Sequence, residues 1–202
     1  MIVLIMKMPR KVFNTLFFLI VIFLTSQVYA GEPIKFTFTS PESKVVFEGS
    51  STFHDFDGKA SEISGFAEGD IENIEDTSKG TFEVRVISMT TNHEKRDRNM
   101  MEDMAEKLFP VISFNLTRIA ILKKPASESD HYLVKISGEL AMHGVKKDIV
   151  FPATMSLSDK AINLKASVPL SLKDFDIKPT TFLFMSVKDQ VKVDFDLTGV
   201  RI

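Results

Sequence analysis

The sequence predicts a mainly β, antiparallel domain, a sandwich or a barrel, with one or two short helices. Apolar and polar residues alternate with period two over most of the chain, the mark of half-buried strands. The alternating runs number roughly eight to ten and are joined by short polar turns. Only one stretch switches clearly to helical spacing. A polar outer face on so many strands suits antiparallel pairing better than parallel pairing.

The elements follow in order. Short strand candidates lie at 35–39, 44–49, 52–57 and 62–71. In "TFEVRV" the residues Phe82, Val84 and Val86 share a face, and in "ISFNL" Ile112, Phe114 and Leu116 do. "YLVKISGEL" aligns Tyr132, Val134, Ile136, Gly138 and Leu140. A further strand is expected at 145–152, after His143-Gly144, where glycine supplies the positive φ of a tight hairpin. "AINLKASVPL" aligns Ile162, Leu164, Ala166, Val168 and Leu170, and "VKVDFDL" aligns Val191, Val193, Phe195 and Leu197. Gly49 and Gly58 flank the opening strands and predict a bulge or sharp bend.

The helix is expected in "TNHEKRDRNMMEDMAEKL". Thr91 and Glu94 have capping-box spacing, and Met100, Met101, Met104 and Leu108 form one stripe before Pro110 stops the helix. A second short non-strand segment is expected around Pro179.

Residues 1–30 read as a secretory signal peptide. Lys7, Arg10 and Lys11 precede the uncharged "LFFLIVIFL", and Val28 and Ala30 occupy the −3 and −1 positions of a cleavage site. The apolar run is short for a membrane span, which takes ~20 residues. Met6 and Met8 are alternative starts. The signal predicts export, with the periplasm as destination and full secretion left open. Residues 31–202 are then expected to form a single domain.

Of the 25 basic residues, Lys7, Arg10 and Lys11 leave with the signal, so 22 stand against 27 acidic ones, a net charge of −5. That balance excludes the basic patch of a nucleic-acid binder and a polybasic lipid anchor. With no cysteine there are no disulfides, no thiolate metal site and no lipidated cysteine, so the core must hold the fold. No nucleophile elbow, phosphate loop or dinucleotide fingerprint is present. His54 and Asp55 in "SSTFHDFDG" are neighbours, and on a strand they would point to opposite faces rather than form a dyad. His54, His93, His131 and His143 lack the spacing that would set two of them on one face of one element, so no metal site and no cofactor are expected. The 18 phenylalanines without tryptophan, and the methionine stripe, fit either an ordinary core or the wall and lid of an apolar cavity.

Several blocks together resemble the YceI-like family. They are "GSSTFHDFDGKASEISGFAEGDI", "TTNHEKRDRNMMEDM", "FPVISFNL" and "SGELAMHGVKKDIVFPA", followed by "LKDFDI". The chain departs from the family pattern in "EDMAEKLF", where an aromatic pair is expected, and at Asp176, where a glycine is. The resemblance implies a lipocalin-like antiparallel barrel of about eight strands around a long hydrophobic cavity. It implies an exported, non-enzymatic carrier or sequestering protein for a polyisoprenoid or another long amphiphilic lipid, and an association as dimers. On that reading Phe82, Phe114, Phe195 and Tyr132 form the wall and Met100 and Met104 the lid. His54, Phe56 and Arg96 meet the polar end of the ligand. Two alternatives stand beside it: a stress-related module with a filled barrel and no ligand, and a lipid-acting hydrolase or isomerase with His54 as base.

Overall fold

The computed structural model describes residues 33–70, 73–127, 130–179 and 187–202. The expected signal segment lies outside them. The strands are β1 (Ile34–Thr39), β2 (Lys44–Ser51), β3 (Asp55–Ala60), β4 (Ile63–Gly69), β5 (Lys79–Arg85), β6 (Met89–Thr90), β7 (Val111–Lys123), β8 (Tyr132–Met142), β9 (Val145–Leu157), β10 (Ala161–Ser171) and β11 (Val187–Arg201). Two helices are described, α1 (Ile74–Thr77) and α2 (Glu94–Asp103).

Following the hydrogen-bonded neighbours gives β1-β4-β5-β7-β8-β9-β10-β11, and β11 pairs back onto β1. That circuit is a closed eight-stranded antiparallel barrel, the expected class. Closure removes the free sheet edges that an open sheet would present.

The first three barrel strands are broken in the middle. β11 borders β1 near Gly199 and β2 from Asp196 to Val187, so β1 and β2 are two halves of one strand. β3 and β4 are likewise two halves, and so are β5 and β6, separated by a 3-10 turn at Val86–Ser88. Serines bridge the breaks, as a chain that leaves the ladder must find other partners for its backbone groups. Ser40 Oγ accepts from the Ile63 N–H at 3.0 Å, Ser43 Oγ accepts from the Thr198 N–H at 3.3 Å, and Ser88 Oγ donates to the Arg85 carbonyl at 2.7 Å. Beyond the breaks, β2, β3 and β6 splay away, and β6 ends the sheet order without joining β7. Helix α2 follows β6 and packs against this end of the barrel.

Local sequence explains most of the joints. The β8–β9 hairpin pairs Met142 with Val145, and both loop residues, His143 (φ 53°) and Gly144 (φ 77°), have the positive φ of a two-residue turn. His143 Nδ1 donates to the Phe175 carbonyl at 3.0 Å, fastening the 3-10 turn Leu172–Phe175 to that hairpin. Asp176 follows with φ 55°, the left-handed conformation that accounts for glycine in the family pattern.

Three expectations need correction. Gly58 marks no bulge, whereas Gly49 adjoins a register irregularity, where β11 runs from Val191 to Val187 against only Gly49 to Ser51 of β2. Gly49 and Gly58 also stand opposite rings of the neighbouring strand, Phe56 and Phe47, and a Cβ on either would strike that ring. The strand expected at 52–57 begins at Asp55, because Ser51–His54 close a turn in which Ser51 N–H and Oγ both donate to the His54 carbonyl (2.9 and 2.7 Å). The helix is capped by His93, whose Nδ1 accepts from the Arg96 N–H at 3.3 Å, not by a Thr91–Glu94 box. It also ends early, at Asp103. Ala105 turns left-handed (φ 46°), which takes Leu108 out of the stripe and leaves it 76% exposed.

The apolar interior has two parts. Phe38, Val134, Ile136, Phe151, Ile162 and Leu164 centre a cluster inside the barrel. Val86, Met104, Leu140, Met142, Phe175 and Ile177 form a second one under helix α2. The outer face carries ion pairs, as in Lys192 with Glu48 (3.1 Å) and Asp194 (3.0 Å), beside exposed apolar residues such as Val150 and Val200.

Candidate functional site: a hollow barrel with a polar rim

The barrel is not filled. A cavity of about 550 Å³ runs through it, walled by inward residues of the strands. Phe82, Phe114 and Phe195 lie on this wall, with aliphatics such as Ile136, Leu164 and Val193. Alternation turns these side chains inward, yet Phe82, Val84, Phe114, Val193 and Phe195 are only half-buried. In a packed barrel such residues are covered by one another; here they border empty space.

Apart from Glu83 on β5, the polar groups of the lining gather at one end. Ser51 and His54 come from the β2–β3 turn, Thr91 from the end of β6, and His93, Lys95, Arg96, Asn99 and Asp103 from helix α2 and its cap. This end is the rim.

Asp97 locks the helix in place there. Its carboxylate accepts from Thr90 Oγ1 (2.7 Å), the Thr91 N–H (2.8 Å) and the Thr91 hydroxyl. Burial pushes the Asp97 carboxyl up, but the hydrogen bonds from Thr91 and Thr90, with the Arg96 charge beside it, outweigh burial and hold it below the usual carboxylate value. Arg96 uses the same threonine: its Nε donates to Thr91 Oγ1 at 2.8 Å and its Nη2 to the Thr91 carbonyl at 3.2 Å. The guanidinium lies 4.7 Å from the Phe56 ring centroid, a cation–π contact that spans the rim from helix to β3.

Of the nine residues singled out in the sequence, the structure brings eight to this cavity: His54, Phe56, Phe82, Arg96, Met100, Met104, Phe114 and Phe195. Tyr132 is the exception. It opens β8, so it sits at the opposite end of the barrel, beside a smaller hollow lined by Ile74, Glu75 and Ile121. Its side chain packs against the main cluster, on the inward face, but at a different depth along the strand from the cavity wall. His54 is also displaced from its expected strand position, being an exposed turn residue at the rim. Met104 is buried in the second apolar cluster, while Met100 is half-buried beside it. Sequence reading missed Phe47 and Phe151, both legible from alternation, and the rim residues Thr91, His93, Lys95, Asn99 and Asp103, which required knowing where the helix docks.

The remaining histidines serve separate local contacts. His131 Nδ1 lies 2.8 Å from Ser156 Oγ, and neither residue lines the cavity. Among the described residues, no three His, Asp or Glu side chains converge in a metal-binding group. No described helix is long and apolar enough to cross a membrane.

Comparison with known proteins agrees with this architecture. A UPF0312 protein of Pseudomonas putida is 28% identical over 158 residues, covering 74% of this chain and 72% of its own length. Among solved structures, Burkholderia cenocepacia BcnA superimposes with a TM-score of 0.66 at 17% identity, covering 77% of this chain and 95% of its own. A polyisoprenoid binding domain from Saccharophagus degradans gives 0.62 at 15% identity, covering 82% and 98%. The YCEI protein of Campylobacter jejuni gives 0.58 at 19%, covering 71% and 83%. At these identities the structural likeness concerns the fold alone. The YceI-like domain model matches residues 36–199, nearly the whole barrel, and the chain belongs to the YceI-like family.

Proposed function

We propose that the protein is an exported carrier or sequestering protein that holds a long-chain isoprenoid or another amphiphilic lipid, and that it is not an enzyme. The apolar chain occupies the barrel and the polar end meets the rim at His54, Arg96 and their neighbours. The observation that carries this reading is the hollow, mostly apolar 550 Å³ interior whose polar groups are concentrated at the rim. At the ~30 Å³ that a water-sized group takes up in a liquid, it has room for on the order of 18 methylene-sized groups, between three and four isoprene units. Ten buried methylenes contribute roughly 8 kcal/mol of transfer free energy before the cost of association is subtracted. Such a ligand needs no strong polar contact to be held. The polyisoprenoid binding domain of Saccharophagus degradans, which shares the fold, supports the same ligand class. The basic, apolar and small-residue order of positions 7–30 supports export, with the periplasm as destination.

Native mass spectrometry before and after organic extraction tests the proposal. The protein purified without detergent is expected to carry an extra mass that extraction removes and that fragments as a lipid. A single ligand-free mass, with no uptake of added polyprenyl lipid, would refute the carrier. Turnover of an added lipid that His54→Ala abolishes would replace it with the hydrolase or isomerase reading.

A further inference from the structure

We propose that the methionine cluster under helix α2 is an oxidation site, and that its conversion to sulfoxide by a hydroperoxide releases the C-terminal half of the helix and opens the cavity. The chain has ten methionines and no cysteine, so thioether is the only sulfur it offers to an oxidant. Five of the ten meet in one place. Met104 and Met142 are buried in the second apolar cluster, and Met89, Met100 and Met101 pack half-buried against it. They come from three elements that have to stay together to close this end: β6, the helix with its C-cap, and the end of β8. Met89, Met100, Met104 and Met142 also line the cavity, so a small oxidant that passes the rim reaches them from inside. Met155 is 1% exposed in the barrel core and serves as an internal reference.

The chemistry balances with the hydroperoxide as the only co-reactant. A sulfur lone pair attacks one peroxide oxygen, the O–O bond breaks, and that oxygen stays on sulfur as the sulfoxide. The other oxygen takes the proton and leaves as water or an alcohol. Sulfur loses two electrons and the peroxide gains two. The product is polar, while its surroundings are Val86, Leu140, Phe175, Ile177 and Ile112, which offer side chains without hydrogen-bond donors. An unpaired polar group in such a place is unfavourable. The N-terminal attachment of the helix is of another kind, hydrogen bonds from Thr90, Thr91 and Arg96, which oxidation leaves intact. The helix therefore keeps its N-terminal anchor and loses its apolar seat. Leucine would fill the same space, so packing alone does not require sulfur at these positions.

The test treats the purified protein with hydrogen peroxide, maps sulfoxides by peptide mass, and follows hydrogen exchange at 94–109. The expected result is oxidation of Met89, Met100 and Met101 ahead of Met155. A roughly tenfold or greater loss of helix protection should accompany it, while β8–β10 keep theirs. Methionine sulfoxide reductases A and B should restore protection, and Met100→Leu with Met101→Leu should keep the helix protected at the same peroxide dose. Oxidation of these residues with helix exchange unchanged overturns the proposal, and so does loss of protection in helix and barrel together. Opening of the cavity toward a lipid rests on the carrier reading and is scored separately: helix release without loss of a bound lipid leaves the oxidation site and the carrier standing and overturns the opening of the cavity.

Discussion

Asp97→Ala should loosen helix α2 far more than its half-exposed position suggests. Three donors converge on this carboxylate, and they differ in what they can do without it. The Thr90 hydroxyl is half-exposed and can return to water, and it still accepts from the Asn92 N–H at 3.0 Å. The Thr91 hydroxyl keeps the Arg96 Nε as a donor but loses its own acceptor. The Thr91 N–H, on a residue only 6% exposed, is stranded. At about 1–3 kcal/mol for each of these two groups left without a partner, the loss comes to roughly 2–6 kcal/mol. That is a large part of the ~5–15 kcal/mol that holds a typical domain folded. The loss should be local first, with exchange of the helix amides accelerating by about thirtyfold or more while the barrel amides change less. Asp97→Asn, which keeps an acceptor oxygen, should fall between. The acid limb gives a second readout. The folded carboxyl lies below its ordinary value of 3.8, so its stabilisation is fully present above about pH 4 and is lost as pH falls through the folded value. Wild type should therefore lose more stability than Asp97→Asn between about pH 4 and pH 2. An Asp97→Ala protein with wild-type helix protection and an unchanged urea midpoint would refute the reasoning.

Three further outcomes are expected. Met104→Ala should cost about 2–4 kcal/mol in urea unfolding and Met100→Ala under about 1.5, because Met104 is buried and Met100 only half-buried; the reverse order would mean that the seated face of the helix is assigned wrongly. Gly58→Ala should cost about 1–3 kcal/mol, since the new methyl meets the Phe47 ring, and an unchanged melting temperature would show that the ring moves freely. Val193→Trp should fill part of the cavity and leave the barrel intact by circular dichroism. Native mass spectrometry of that variant should show shorter or fewer retained lipids, and an unaltered lipid profile would count against occupancy of the barrel.

Period-two alternation carried the barrel strands well, because each long strand has one face toward the interior and one toward water. Its failures fall where the backbone leaves the ladder. "SSTFHDF" alternates like a strand, but Ser51 bonds to the His54 carbonyl and closes a turn, so the strand begins at Asp55, three residues later than the pattern suggests. "TNHEKRD" has the letters of a capping box, yet the acid that matters is Asp97, which reaches back to Thr90 and Thr91 instead of leaving Glu94 to cap the helix. Both errors come from side chain to backbone bonds whose partners are set by tertiary docking. The rim was half legible for the same reason. His54 and Arg96 could be named from the family pattern, but Lys95, Asn99 and Asp103 become rim residues only once the helix lies over this end of the barrel.

Hollowness was the property hardest to read, since the 14 phenylalanines of residues 31–202 look like enough material to fill a barrel of this size. The glycines explain why they do not. Phe47 lies against Gly58, Phe56 against Gly49, Phe82 against Gly65 and Phe114 against Gly138, each ring occupying space that a Cβ would have taken. A ring laid on a neighbouring strand in this way thickens the wall instead of projecting into the lumen. All four of these phenylalanines line the cavity. The count of large apolar residues therefore overstates how much of the interior they fill, and the pairing of phenylalanine with glycine across strands is the feature that separates a wall from a core. Alternation cannot reveal that pairing, because it places both residues on the inward face without saying which are neighbours across strands; the register does, setting three of the pairs directly opposite and Phe114 diagonal to Gly138.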